Sequence, residues 1–280
     1  MFDERLDFMQ YLTDRAGQIL NRYWRSNQSS ARKKEDGSVI TDADLRVSDL
    51  VKDEISRRFP KYGLLTEESK DSPDRLNKEG VFVVDELDGT HEFSEGKEEF
   101  CFMVAYVENG IPKIGVIYEP AKKRMLFAEK NSGTFVKQNG SAERLSGLRH
   151  GVNLENALIG HSRNYKGERF ERLYKSLKIP TENQRISGAL GTRILETALQ
   201  KIHIIPCYHK TAEWDIAAGD IILQEQGIPV VDFRGNSLAY NKPIPRMEKG
   251  VLVVHPDIKE ATLENLANLD VGGDLKWPIL

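Results

Sequence analysis

An α/β fold, of the α+β kind in its first half, is what the 280-residue sequence predicts. Three observations carry that expectation. Two amphipathic helical patterns open the chain, and a succession of short apolar runs follows them. Two of the breaks between those runs are Asn-Gly dipeptides, Asn109-Gly110 and Asn139-Gly140, which are strong hairpin signals. Beyond about residue 150, strand and helix patterns alternate, as in a sheet with helices packed on it. The expected organisation is an N-terminal α+β half over residues 1–150 and a C-terminal α/β half over residues 151–280.

The elements follow in order. Phe2, Leu6, Met9, Leu12, Ala16, Ile19, Leu20 and Tyr23 recur at helical spacing. A polar connector, residues 26–30, leads to Lys33, Lys34 and a Gly37-Ser38 turn. Leu45, Leu50, Val51 and Ile55 mark a second helix, which Pro60 stops. Strand patterns then cover residues 64–66, 81–85, 100–107, 113–118, 125–129 and 133–136, giving an antiparallel sheet. In the second half, strands are expected over residues 157–160, 202–206, 230–233 and 251–254. Helices are expected over 168–177, near 190–199, and over 214–226 and 257–266.

Composition narrows the function classes. Apolar residues make up 39 % and charged residues 30 % of the chain, as in an ordinary globular protein able to close a large core. A formal net charge of −3 argues against a nucleic-acid polymer as partner. No apolar run approaches the roughly 18 residues of a membrane helix, so no membrane partner is expected. The acidic start, with Asp3, Glu4 and Asp7, lacks the features of a signal peptide. Cys101 and Cys207 are the only cysteines, too few for a disulfide framework or a zinc site, and point to a reducing cytoplasm.

The chemistry is expected at Phe82-Val83-Val84-Asp85-Glu86-Leu87-Asp88-Gly89-Thr90. An apolar strand ends there in two carboxylates three positions apart, then in a glycine that permits close backbone approach and a threonine able to cap a helix. Such a place can hold a divalent cation against a phosphate. Taken alone, it also fits a strand that merely ends in an acidic turn. Two other stretches bear on the choice. Leu64-Leu65-Thr66-Glu67-Glu68 delivers paired acids, with Glu67 placed 18 residues before Asp85. Glu213-Trp214-Asp215-Ile216-Ala217-Ala218-Gly219 places Asp215 130 residues after Asp85.

In this order the three stretches resemble the inositol monophosphatase superfamily of magnesium-dependent, lithium-sensitive phosphatases. The resemblance begins at Lys34-Glu35-Asp36-Gly37-Ser38-Val39-Ile40-Thr41-Asp42-Ala43-Asp44 and extends to about Gly227. It implies a layered α/β/α/β sandwich. It also implies two magnesium ions and a weaker third. Glu67, Asp85 and the Leu87 carbonyl would hold the first ion, and Asp85, Asp88 and Asp215 the second. Glu67 and Thr90 would orient and deprotonate the attacking water, with Asp44 supporting the site and the third ion. Asp44 fits a helix-capping carboxylate as well. Substrate contacts would come from Asp88, Gly89, Thr90, Ser187, Arg193 and Lys34. Glu68 would stand behind the metal ligands, and His91 and His209 at the surface or at caps. Relatives are commonly dimers, so a homodimer is the implied assembly.

Within the superfamily, Lys34-Glu35-Asp36-Gly37-Ser38, Gly89-Thr90-His91-Glu92-Phe93 and Ser162-Arg163 look like CysQ-type 3'(2'),5'-bisphosphate nucleotidases. The implied reaction is conversion of 3'-phosphoadenosine 5'-phosphate to AMP. Three departures stand against that pattern. His91 replaces a lysine. Ser187-Gly188-Ala189-Leu190-Gly191-Thr192-Arg193 lacks the lysine of a Gly-Ser-Ser-Leu-Lys stretch, a role Arg193 would take. Glu86 replaces the proline of Asp-Pro-x-Asp-Gly-Thr. Along an extended strand Glu86 should point away from Asp85, with an exposed carboxylate beside a surface lysine or arginine. Two other readings stay open: an inositol-, histidinol- or sugar-phosphate phosphatase, and a catalytically drifted metal- or ligand-binding regulatory protein.

Overall fold

The chain begins with α1 (Glu4–Ser26), which buries Leu6, Met9, Leu12, Ala16 and Leu20 along one face. A computed structural model describes residues 3–26, 31–34, 37, 39–163, 165, 167–208 and 211–267. The short strands β1 (Arg32–Lys33) and β2 (Val39–Ile40) form a hairpin that leads into α2 (Asp42–Arg58). Thr41 and Asp44 close the start of α2 as a reciprocal capping box, each side chain accepting from the other's backbone N–H.

The first sheet has seven strands in sequence order: β3 (Gly63–Thr66), β4 (Gly80–Asp88), β5 (Cys101–Glu108), β6 (Ile111–Glu119), β7 (Arg124–Glu129), β8 (Gly133–Gln138) and β9 (Ser141–Arg144). The short helix α3 (Thr90–Ser94) interrupts them after β4. Both Asn-Gly hairpin turns form, with positive φ at Asn109, Gly110, Asn139 and Gly140. The sheet departs from the all-antiparallel expectation at its edge, where β3 runs parallel to β4. β9 has no apolar alternation to announce it, because all four of its residues are exposed.

The second half builds a five-stranded sheet ordered β11-β10-β12-β14-β13 from β10 (Ile159–His161), β11 (Gln184–Ile186), β12 (Ile204–Cys207), β13 (Val230–Val231) and β14 (Val251–Val254). Four helices accompany it: α4 (Glu168–Leu177), α5 (Leu190–Ala198), α6 (Ala217–Glu225) and α7 (Lys259–Ala267). Alternation along the strands sorts the side chains into layers. Phe82 and Val84 of β4 pack with α1 and α2, whereas Val81 and Val83 pack with α5 and α6. Ile205, Val251 and Val253 share that same inner core, while Ile204, Leu252 and Val254 face α4 and α7. The molecule is therefore the expected layered sandwich, with α5 and α6 between the sheets and α4 and α7 on the far face. α6 packs closely enough on β6 that a Cβ on Gly115 would lie 2.5 Å from the Ala218 carbonyl oxygen. β9 ends at Arg144 and β10 begins at Ile159, on either side of residue 150. No described helix is long and apolar enough to cross a membrane, and Cys101 and Cys207 are buried and free.

Candidate active site

The ends of β3 and β4, the turn before α6 and the N-terminus of α5 bring the acidic residues together. Asp85 is buried near the end of β4, and its Oδ1 accepts from the Leu87 N–H at 3.0 Å. The pairing of β4 with β5 is interrupted between Asp85 and Asp88, so the strand turns there and the two acids need not follow simple alternation. Asp88 accepts from the N–H of Leu190 at 3.1 Å and from that of Gly191, at the start of α5. Asp215 accepts from the Ala212 N–H at 2.6 Å and precedes α6 instead of lying in its first turn. Neighbouring Glu213 is fully buried and takes the N–H groups of Asn241 and Lys242, which anchors the loop.

The electrostatics show the crowding. Burial, then the charges of Glu67, Asp88, Asp215 and Glu86, push Asp85 well above the carboxylate range. Burial and then Glu67 push Asp215 up to about 8, and burial raises Asp88 to about 6 against the hydrogen bonds from Gly191 and Leu190. Like charges held this close in a poorly solvated place call for a cation. The donor set is entirely oxygen, which suits a hard ion such as magnesium. Among the described residues, no three histidine, cysteine, aspartate or glutamate side chains already converge as they would around a metal ion. Glu67 instead takes the Lys34 ammonium at 3.0 Å, and Glu68 takes it at 2.6 Å. Burial lowers the lysine pKa, but the two carboxylates outweigh it and hold Lys34 well above its ordinary range.

Asp44 is the helix-capping carboxylate, and it also reaches Thr90. Its Oδ2 accepts from the Thr41 N–H at 2.8 Å as the cap of α2, and its Oδ1 lies 3.4 Å from Thr90 Oγ1. Burial raises it to about 6, against the opposing hydrogen bonds from Thr41. Thr90 is the first residue of α3, not its cap. Gly89 holds that position with φ +86°, and a Cβ there would lie 2.5 Å from the Glu99 carbonyl oxygen. The Thr90 hydroxyl is thereby turned onto the Leu87 carbonyl at 2.8 Å.

The anticipated substrate contacts are placed differently. Arg193 is buried, and its guanidinium donates to the carbonyls of Ser187, at 2.5 Å, and Gly188, at 3.1 Å. Arg163 is held by Glu92 at 3.1 Å and by Glu99 at 2.8 and 2.9 Å. Glu99 also accepts from Ser187 Oγ at 3.2 Å and the Gly188 N–H at 2.7 Å. Arg163 first, then burial in opposition, leaves Glu99 at about 2. Glu92, Glu99 and Arg163 thus lock the loop whose next residues, Leu190 and Gly191, hold Asp88. Glu99 has no signature in sequence beyond its charge. Arg193→Ala is accordingly expected to lower kcat for monophosphate and bisphosphate substrates alike, because loosening the loop displaces Asp88. A KM increase confined to a bisphosphate would instead show direct contact with a second phosphate.

Glu86 requires a correction. It does point away from Asp85, but it is fully buried instead of exposed, with the Ser48 hydroxyl of α2 beside its carboxylate. The reason is that α2 covers that face of β4. Burial pushes it to about 8. His91 is exposed, 3.7 Å from Glu95. His209, Glu35, Asp36 and Ser38 lie outside the described residues.

A sandwich with carboxylates gathered at strand ends, buried at Asp85 and half-buried at Glu67, Asp88 and Asp215, beside a threonine and tightly turned backbone, suits metal-assisted phosphoryl transfer. The chain belongs to the inositol monophosphatase family, whose model matches residues 2–270. Members of that family are phosphatases, hydrolases of phosphate monoesters, and are generally magnesium-dependent. The fructose-1,6-bisphosphatase/inositol-1-monophosphatase of Thermotoga maritima is 32 % identical over 83 % of this chain and 86 % of its own length. A CysQ 3'(2'),5'-bisphosphate nucleotidase of Aggregatibacter actinomycetemcomitans is 28 % identical over 82 % and 85 %. Among solved structures, the Thermotoga maritima IMPase has a TM-score of 0.79 and 26 % identity, covering 95 % of this chain and 98 % of that one.

Proposed function

We propose that the chain is a magnesium-dependent phosphatase of a small phosphorylated metabolite. The observation that supports this reading is the placing of Glu67, Asp85, Asp88 and Asp215 at the ends of β3 and β4 and before α6, where Glu67, Asp88 and Asp215 all raise Asp85. Glu67, Asp85 and the Leu87 carbonyl would hold one ion and Asp85, Asp88 and Asp215 a second, with Asp44 and Glu67 serving a weaker third. When bound, the ions supply positive charge for the phosphoryl oxygens and the leaving group. Glu67, once free of Lys34, takes the proton of the attacking water, and Thr90 orients that water from its seat between Leu87 and Asp44. The main-chain N–H groups at Gly89 and Thr90 face the phosphate. Lithium inhibition would come from competition at the second position.

The first substrate to test is a 3'(2'),5'-bisphosphate nucleotide, on the resemblance of the loop at residues 89–93 to CysQ-type enzymes. A second reading, an inositol or sugar phosphate, is favoured by the engagement of Arg163 and Arg193 with carboxylates and carbonyls, which leaves neither facing a second anion. Phosphate release from 3'-phosphoadenosine 5'-phosphate, inositol 1-phosphate, fructose 1,6-bisphosphate and histidinol phosphate decides between them. Hydrolysis of the nucleotide at least tenfold faster than of the others supports the first. No hydrolysis of any, with magnesium present, would overturn the enzymatic reading.

A further inference from the structure

Between β3 and β4, the 3-10 helix Pro73–Asn77 places an arginine in the interior. The Arg75 side chain is 1 % exposed, and its guanidinium makes four hydrogen bonds. Nε and Nη2 donate to the two oxygens of Asp71, at 2.6 and 2.8 Å. Nη1 donates to Asn241 Oδ1 at 2.6 Å, and Nη2 donates also to the Lys242 carbonyl at 2.8 Å. One side chain therefore ties the first half of the chain to a loop 166 residues further on. Neither Arg75 nor Asn241 belongs to the carboxylate cluster.

Each end of this tie leads to a carboxylate of the site. On one side, Asp71 belongs to the segment that follows Glu67, and Arg75 lies against the start of β3, where a Cβ on Gly63 would stand 2.8 Å from the Arg75 Cβ. On the other, the N–H groups of Asn241 and Lys242 donate to the two oxygens of Glu213, at 2.6 and 3.0 Å. The Glu213 N–H donates to the Pro245 carbonyl at 3.1 Å, and its own carbonyl accepts from Ile216 at 3.3 Å and Ala217 at 2.9 Å. Asp215 lies inside that turn, so the anchoring of Glu213 sets where its carboxylate stands. Burying a guanidinium is costlier than burying an apolar chain of similar length, and only directed partners in good geometry offset that cost. In return, the planar fork fixes the orientation of both segments at once, which apolar packing does not.

We propose that Arg75 is a positioning residue for the metal site, holding the Glu67 segment and the Asp215 turn at the separation that two ions require. The inference rests on the metal-dependent reading above, in which Glu67 serves one ion and Asp215 the other. In that arrangement Arg75 meets neither ion itself. It acts through Asp71 on one side and through Asn241 and Glu213 on the other.

Calorimetric titration of magnesium into the full chain, without substrate, tests the role. Arg75→Met replaces the fork with an unbranched apolar chain. Asn241→Gly removes one contact of the fork, suits the φ of +54° at that position and keeps the main-chain N–H for Glu213. The magnesium dissociation constant should rise about tenfold or more in Arg75→Met, as when a group that orients a metal ligand is lost, and at least about twofold in Asn241→Gly. Arg75→Lys keeps the charge without the fork and should not restore the affinity. The magnesium concentration for half-maximal phosphate release should move by the same factor, with KM at saturating magnesium unchanged within about twofold. Leu12→Ala, a cavity in the α1 core, should lower Tm and leave magnesium affinity as it was. If Arg75→Met does not fold, Asn241→Gly decides. Parent affinity for magnesium in the folded variants would make the fork a structural tie alone and overturn the proposal. A loss of affinity that Leu12→Ala reproduces would mean general loosening and overturn it equally. No magnesium binding by the parent protein would overturn the metal-dependent reading itself, and this inference with it.

Discussion

Replacing Asp85 with asparagine is expected to lower kcat by about 10²–10³-fold, the loss that follows removal of a main electrostatic element of a catalytic site. Asp85 is the carboxylate most surrounded by others, with Glu67, Asp88, Asp215 and Glu86 all acting on it. It is the one residue proposed to serve both ions. Asparagine keeps the shape and can still accept from the Leu87 N–H, so the fold of the turn should survive. The same change should raise the stability of the metal-free protein above neutral pH, because it removes a buried charge that its neighbours repel. Steady-state phosphate release at saturating substrate and thermal unfolding in chelator measure the two effects. A variant within tenfold of the parent kcat would show that Asp85 is not central. A variant both inactive and less stable in chelator would mean a structural role.

The positions of the carboxylates at strand ends were legible in sequence because apolar runs mark where strands stop. Glu67 follows the last residue of β3, and Asp85 and Asp88 lie at the end of β4, as the apolar runs before them implied. Alternation also gave the direction of Glu86. Its burial was not legible, since that depends on α2, folded over the strand from about forty residues upstream. Arg193 illustrates a different limit. A long flexible side chain at the site's edge can reach outward to a ligand or back to its own loop, and only packing decides; here it turns back to Ser187 and Gly188. Asp215 sits before α6 because its carboxylate takes the Ala212 N–H and shapes a turn, a local hydrogen bond that helical periodicity does not report.

Removing the metal should abolish activity and leave a stability that falls as pH rises from 5 to 8. In the metal-free protein burial, joined for Asp85 and Asp215 by neighbouring carboxylates, raises Asp44 and Asp88 to about 6, Asp215 to about 8, and Asp85 well above its ordinary value. The folded state therefore holds protons that the unfolded chain releases near pH 4. Where the folded state binds more protons, stability falls as pH rises. The stabilisation is thus fully present below about pH 4 and is lost progressively as pH climbs through about 6 to about 8. Paired carboxylates with lowered pKa values give the opposite dependence, but only below about pH 5, where they titrate. Melting curves in chelator should accordingly give a Tm lower at pH 8 than at pH 5. Magnesium should restore stability most at pH 8, where the ion meets carboxylates already ionised and has no protons to displace. Phosphate release should return with it. A metal-free Tm that is flat or rising from pH 5 to 8 would mean these carboxylates are not buried together, and full activity in chelator would remove the metal from the mechanism.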